Sequence, residues 1–367
     1  QYPYMAKGKG KRSGSAKPKG GKTLRKADGG SSSPFKKFLV RAASGVVMVG
    51  IVAGIIALGR VAMSVAVLSS AFLIFAEVHR IKKLHQPASV SFSFKLLNIT
   101  LFTLSFFSAL LLVSRNAIQT LPQTPTLHRA TASFDGLKAW LPLCFPLAGC
   151  VFAMWFVFCL KKRDLAYYFE EVATTICCVI ILVPCSLYGM RSCLDGTVFL
   201  LVPMVLIALN DTWAYVCGVT FGKHPLISIS ASKTWEGYIG GGILTVLSAP
   251  VVAWAMLWIM DTFPGIAPTS DWMWFITQES PSVLPCLSFL GAWTPFHWFC
   301  FWIAVFAATA GPFSGFIASG LKRVHGIKDY SNAIPGHGGF TDRLDCQILG
   351  AGVAWSVRHI LARVYYF

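Results

Sequence analysis

Charge is what this chain has least of. Only 13% of its 367 residues are Asp, Glu, Lys or Arg, whereas a soluble domain carries about 25%. Acids are scarcest, fifteen against 32 Lys and Arg. In a chain that is 55% hydrophobic with a mean hydropathy of +0.61, so deep a deficit excludes a large soluble core and points to repeated crossing of a bilayer. No Cys-x-x-Cys pair occurs among the eleven cysteines. Most of them, including Cys150, Cys159, Cys177, Cys178, Cys217 and Cys300, lie in apolar runs and read as small buried hydrophobes, not disulfides or metal ligands. No Gly-x-Gly-x-x-Gly follows a strand, so Gly240-Gly241-Gly242 reads as close helix packing or a flexible joint rather than a nucleotide loop. No cleavable leader is expected either, because the basic stretch before the first apolar run is too long and that run is itself long enough to span.

The charge that is present is concentrated. Residues 1–41 hold twelve Lys or Arg and one acid, Asp28. With its Lys, Gly and Ser and no apolar period, this stretch predicts a disordered basic tail over 1–37, suited to a cytoplasmic topology signal and to anionic headgroups. Nucleic acid is not an expected partner. Apolar runs then follow near 38–58, 61–79, 96–114, 141–160, 172–190, 197–219, 239–260, 298–318 and 346–365, the last interrupted by Arg358, His359 and Arg363. The expected architecture is an all-α, polytopic integral membrane protein of about nine transmembrane helices with a cytoplasmic N-terminus. Its N-terminal helices fall in 38–190 and a C-terminal catalytic region in 191–367. Placed this way, 25 of the 32 Lys and Arg face inside, and the long 261–297 connection outside has none, as the positive-inside rule asks. Two polar loops, 220–238 and 319–345, then share the cytoplasmic side and are free to build one site.

The second of these loops carries the densest chemistry in the chain. Lys322, Arg323, Lys328 and Arg343 stand there with Asp329, Asp342, Asp345 and His337, and Pro335-Gly336 and Gly338-Gly339 break any preceding helix. A helix restarting near Phe340 sets Gly338 and Gly339 at an N-terminus that favours phosphate. It also puts Asp342 and Asp345, three apart, on one face. Two carboxylates at that spacing suit Mg²⁺, which leaves its other positions to water and substrate phosphates, while the cations offset phosphate repulsion. A second element is Asn210-Asp211-Thr212 inside the sixth run, where a carboxylate is expensive and so a candidate metal ligand. A third is Lys233-Thr234-Trp235-Glu236, in which Lys233 and Thr234 suit phosphate or base oxygens, Glu236 a metal-bound water or sugar hydroxyl, and Trp235 an interfacial anchor. Glu77, Arg80, Lys82 and Lys83 lie at the edge of a span, where snorkelling accounts for them. His224 lacks a partner at metal-ligand spacing.

The run Ser319-x-x-Lys322-Arg323-x4-Lys328-Asp329-x5-Pro335-x-His337-Gly338-Gly339-x-x-Asp342-Arg343-x-Asp345 resembles the signature of the phosphatidate cytidylyltransferases, or CDP-diacylglycerol synthases. Asn210-Asp211-Thr212-x-Ala214-Tyr215 and Ser232-Lys233-Thr234-Trp235-Glu236-Gly237 are similar to two further segments of that family, and the likeness covers about 200–350. The resemblance implies an integral membrane enzyme that joins CTP to phosphatidic acid, releasing pyrophosphate with Mg²⁺. Asp342 and Asp345 would be metal-site acids, and Lys322, Arg323, Lys328, His337 and Arg343 would handle phosphate. The resemblance is to the eukaryotic type, which implies the endoplasmic reticulum or another internal membrane, with the site facing the cytosol and membrane lipids around it; a homodimer is an option it leaves open. Bacterial members often have a Gly-Asp-Leu whose aspartate helps hold metal. Here the aligned triplet is Ser314-Gly315-Phe316, so Asp211 becomes the candidate replacement. The alternative from another class is a transporter or channel for anionic solutes, which explains the spans and Asp211 but not the glycines, cations and paired aspartates of one loop. A CDP-alcohol phosphatidyltransferase is excluded because Asp135-Gly136 is followed by no Ala-Arg at the required spacing.

Overall fold

In the computed structural model, residues 34–82, 91–119, 149–227, 230–278 and 293–366 are described. The tail therefore lies outside them up to residue 33. Helix α1 (Pro34–Ala57) turns at Gly59, whose φ of 93° only glycine holds without strain, into α2 (Arg60–Lys82). Then come α3 (Phe92–Gln119), α4 (Gly149–Cys159), α5 (Leu165–Asp195) and α6 (Val198–Phe221). A short antiparallel hairpin of β1 (Pro225–Ile227) and β2 (Ser230–Thr234) leads into α7 (Trp235–Thr262). The chain continues through the single turn α8 (Trp274–Thr277) to α9 (Pro295–Ala308), α10 (Gly311–Val324) and α11 (Thr341–Tyr366). The protein is an all-α polytopic membrane protein, and the two-stranded hairpin is a local addition.

Seven segments among the described residues are long and apolar enough to cross a membrane: 39–57, 60–81, 92–110, 162–195, 198–221, 235–262 and 295–324. They match seven of the nine expected runs. Of the run at 141–160, residues 141–148 lie outside the described residues, and α4 accounts for the rest. The expected run at 298–318 is there as the segment 295–324, built from two helices because the chain breaks at Thr309-Ala310. Pro312 has no N–H to continue the ladder, and the Thr309 carbonyl released by the break accepts instead from the Tyr238 hydroxyl at 2.9 Å.

The run with the most interruptions proves to be the middle of the protein. One core cluster joins α6, α7, α9 and the lower part of α11 through Phe199, Val202, Leu206, Ala253, Phe299, Ile303, Ala354 and Leu361. A second joins α2, α3, α5 and the start of α11 through Phe75, Phe102, Phe106, Leu187 and Ile348. Lodged between them, α11 need not be apolar all round. Arg358 is fully buried, paired with Asp195 and sandwiched 4.5 and 4.2 Å from the rings of Phe199 and Trp272.

Glycine sets the closest contact, between α6 and α7. A Cβ at Gly241 would stand 2.6 Å from the backbone N and Cα of Ala214, so the two helices touch backbone to backbone, as the triple glycine led us to expect. Gly241→Ala is expected to destabilise the protein by about 1–3 kcal/mol, read as a lower thermal midpoint in detergent. Gly265→Ala, at a position with open space around it, should leave the midpoint unchanged.

Candidate active site

The loop between α10 and α11 is built around the carboxylate of Asp342. Its Oδ1 takes the Lys322 ammonium at 2.6 Å, and its Oδ2 accepts the N–H groups of Tyr330 and Gly339, both at 3.0 Å. Burial pushes this carboxyl up, but Lys322 and the two amides outweigh it and hold the group below the usual carboxylate range. Asp342, expected as a metal ligand, thus has both oxygens engaged in closing the loop, and Lys322, expected to handle phosphate, is its counter-ion. Gly338, with φ of 88°, makes the turn that brings Gly339 round.

Asp345, one helical turn on and ahead of the apolar stretch 346–365, is differently placed. Its Oδ1 accepts the Cys346 N–H at 2.7 Å. Its Oδ2 faces Gly315 on α10, where an added Cβ would come within 3.5 Å. The glycine at the position of the bacterial aspartate therefore lies directly against Asp345. Burial pushes the Asp345 carboxyl up, against the pull of Cys346 and Lys322, and Asp211 adds to the push. Asp211 in turn lies within electrostatic reach of Lys233 and Arg343. The two cytoplasmic loops of the expected topology therefore meet: α6 supplies Asp211, β2 Lys233, α10 Lys322, and α11 Asp345 and Arg343.

Beside this cluster is a cavity of about 390 Å³ lined by Asn210, Asp211, Tyr215, Lys233, Thr234 and Phe316, among others. Its polar groups are held by local structure. The Asn210 Oδ1 accepts from Thr245 at 3.2 Å, and Thr234 caps α7 by accepting the Gly237 N–H at 3.2 Å. Glu236 closes the base of the hairpin: its Oε2 accepts the N–H groups of Lys223 and His224 at 3.0 and 3.2 Å, and its Oε1 lies 2.6 Å from His224 Nδ1. His224 thus has a partner, though not one for a metal. Arg343 donates from Nε and Nη2 to the His337 carbonyl at 3.2 and 3.0 Å. The His337 ring meets the Ser44 hydroxyl on α1 at 2.8 Å. Arg323 reaches the Ile327 carbonyl at 3.3 Å, and it and Lys328 are exposed on the outer side of the loop.

Sequence reasoning missed Glu77. It is not a snorkelling edge residue: it is 7% exposed and accepts from the Ser331 hydroxyl, the Phe340 N–H and the Thr341 N–H at 2.6, 3.0 and 2.7 Å. A signal was there to be read, since Glu77 is the only acid between Asp28 and Asp135, and a lone carboxylate at the end of an apolar helix needs a partner.

Among the described residues no three His, Cys, Asp or Glu side chains form a ready metal cage. Mg²⁺, the expected ion, needs no such cage, since it takes one or two protein carboxylates and completes its shell with water and phosphates. Asp345, which among the described residues is hydrogen-bonded by its neighbour Cys346 and not by a cation, and Asp211 fit that need better than Asp342 does.

A phosphatidate cytidylyltransferase 1 of Arabidopsis thaliana is 34% identical over 270 residues, 68% of this chain and 62% of the plant protein. The human phosphatidate cytidylyltransferase 1 is 37% identical over 210 residues, 53% of this chain and 46% of its own length. The chain thus spans about half to three-fifths of the relatives it matches. The cytidylyltransferase family matches residues 39–361, a stretch that takes in α2, the hairpin, α10 and the signature loop alike. With every element that lines the site inside that match, the chain belongs to the cytidylyltransferase family.

Proposed function

We propose that this chain is a phosphatidate cytidylyltransferase, converting CTP and phosphatidic acid to CDP-diacylglycerol and pyrophosphate at the cytosolic face of the endoplasmic reticulum or another internal membrane. The observation that carries the reading is the convergence of Asp211, Lys233, Lys322, Arg343 and Asp345 from separate elements beside one cavity. Family membership and the named relatives support it over the transporter alternative. The cavity's far wall also suits a lipid. Tyr215 and Val219 on α6 line it and are exposed, so a phosphate tethered to acyl chains would reach Lys233 from the bilayer side.

In the proposed reaction an oxygen of the phosphatidate headgroup attacks the α-phosphorus of CTP. A new P–O–P bond forms, and the bond to the departing pyrophosphate breaks. Asp345 and Asp211 would hold the Mg²⁺, which when bound neutralises charge on the nucleotide phosphates. Lys233 and Thr234 orient a phosphate at the cavity, and Arg343, fixed on the His337 carbonyl, adds a directed cation. The protein contributes positioning and charge stabilisation without a covalent intermediate. To test this, the purified chain in detergent is given CTP labelled at the α-phosphate, with and without phosphatidate. Labelled lipid and an equal amount of pyrophosphate are expected only when both substrates and a divalent ion are present. Pyrophosphate release independent of phosphatidate, or anion flux into sealed vesicles without CTP, would overturn the assignment.

A further inference from the structure

Glu77 is a buried carboxylate with no cationic partner among the described residues. Its compensation comes from dipoles: the two N–H groups that open the 26-residue helix α11, at Phe340 and Thr341, and the Ser331 hydroxyl. Free amides at a helix N-terminus are strong partners for a negative charge. The fit is close, because a Cβ at Gly339 would stand 2.8 Å from both Glu77 oxygens. Gly339 therefore has a second reason to be glycine besides any approach of phosphate: it lets the carboxylate of α2 lie flat against the turn. The same Gly339 gives its own N–H to Asp342, so one short turn is gripped by Glu77 from outside and Asp342 from inside. A further tie, Ser44 to His337, runs to α1.

We propose that Glu77 is a positioning residue for the transfer reaction: from a helix 263 residues away in sequence, it sets the conformation of the 331–341 segment and hence the aim of Asp345 and Arg343. The helices α1 and α2 are thereby part of the active-site scaffold, not merely membrane anchors. The effect on turnover rests on the function proposed above; the grip on the loop does not.

The test uses Glu77→Gln in the full chain. This substitution keeps the size and one acceptor but turns an NH₂ group toward a backbone N–H. Hydrogen–deuterium exchange of peptides covering 331–345 is measured together with kcat and KM for each substrate. Exchange there is expected to be about tenfold faster, with α6 and α7 peptides unchanged. Turnover should fall about 10²-fold with KM for phosphatidate within about threefold, as misplacement by an ångström produces. Gly339→Ala, which pushes a methyl group into the carboxylate, should give the same local signature, and it decides the matter if Glu77→Gln does not fold. Unchanged exchange over 331–345 would overturn the grip. Faster exchange with full turnover would overturn the positioning role. A parent chain inactive on CTP and phosphatidate would instead sink the functional reading and leave the exchange result to judge Glu77.

Discussion

Asp345→Asn is expected to lower the proposed formation of CDP-diacylglycerol by about 10²-fold or more while leaving the thermal midpoint in detergent within a degree or two, an effect of the size seen when a group that stabilises transition-state charge is removed. The substitution is isosteric, and the retained carbonyl can still accept the Cys346 N–H. What is lost is the charge on the oxygen that faces Gly315 and lies within reach of Asp211. Asp342→Asn should behave differently. There the new amide removes the charge opposite Lys322 and can present an NH₂ to the donors of Tyr330 and Gly339. Breaking a part-buried pair of this kind costs less than the roughly 3–5 kcal/mol of a fully buried one, but it opens the loop, so activity and thermal midpoint should fall together. Initial rates with labelled CTP, set beside melting curves of the same preparations, separate the two. Near-normal turnover of Asp345→Asn would remove that residue from the metal site. A stable but inactive Asp342→Asn would show that Asp342 acts in the chemistry itself rather than through the loop.

The largest stability effect should come from the other end of α11. Asp195→Leu strands Arg358 between Phe199 and Trp272 without a counter-charge, in a position where the side chain is fully buried. Removing one partner of a buried pair costs about 3–5 kcal/mol, whereas replacing both by apolar groups of similar volume is often neutral or better. Asp195→Leu alone should therefore lower the thermal midpoint sharply, and the double variant Asp195→Leu/Arg358→Met should restore most of it. Thirteen residues separate Asp345 from Arg358, about 20 Å along the helix. The folded fraction of either variant should then turn over CTP at the parent rate. A single variant as stable as the double one would show that the cation–π sandwich alone accommodates Arg358.

Much of the architecture was legible in the sequence because it depends on one-dimensional quantities. Length and apolarity of a run decide whether it crosses a bilayer, and seven of the nine expected runs reappear at their expected places. The break at Thr309-Ala310 escaped that reasoning although Gly311-Pro312 announced it, because hydropathy averages over a backbone interruption. The polar character of α11 was misleading for a related reason. Hydropathy asks whether a helix tolerates lipid, and α11 packs against two protein cores, leaving only part of its surface, with Ile360 and Val364, exposed.

By itself, then, the sequence determined that this is a polytopic membrane protein of the cytidylyltransferase type, and which short segments hold its charge. A span's length, a glycine's freedom and a motif's spacing are properties of neighbouring residues. Only the tertiary structure decided which carboxylates are occupied and which stand open. Lys322 and two amides take Asp342, the turn before α11 takes Glu77 across most of the chain, and Asp345 keeps only its neighbour Cys346, against Gly315 and within electrostatic reach of Asp211. The role of an acid depends on which donors surround each of its oxygens, and that is settled by packing between distant helices, not by spacing along one of them.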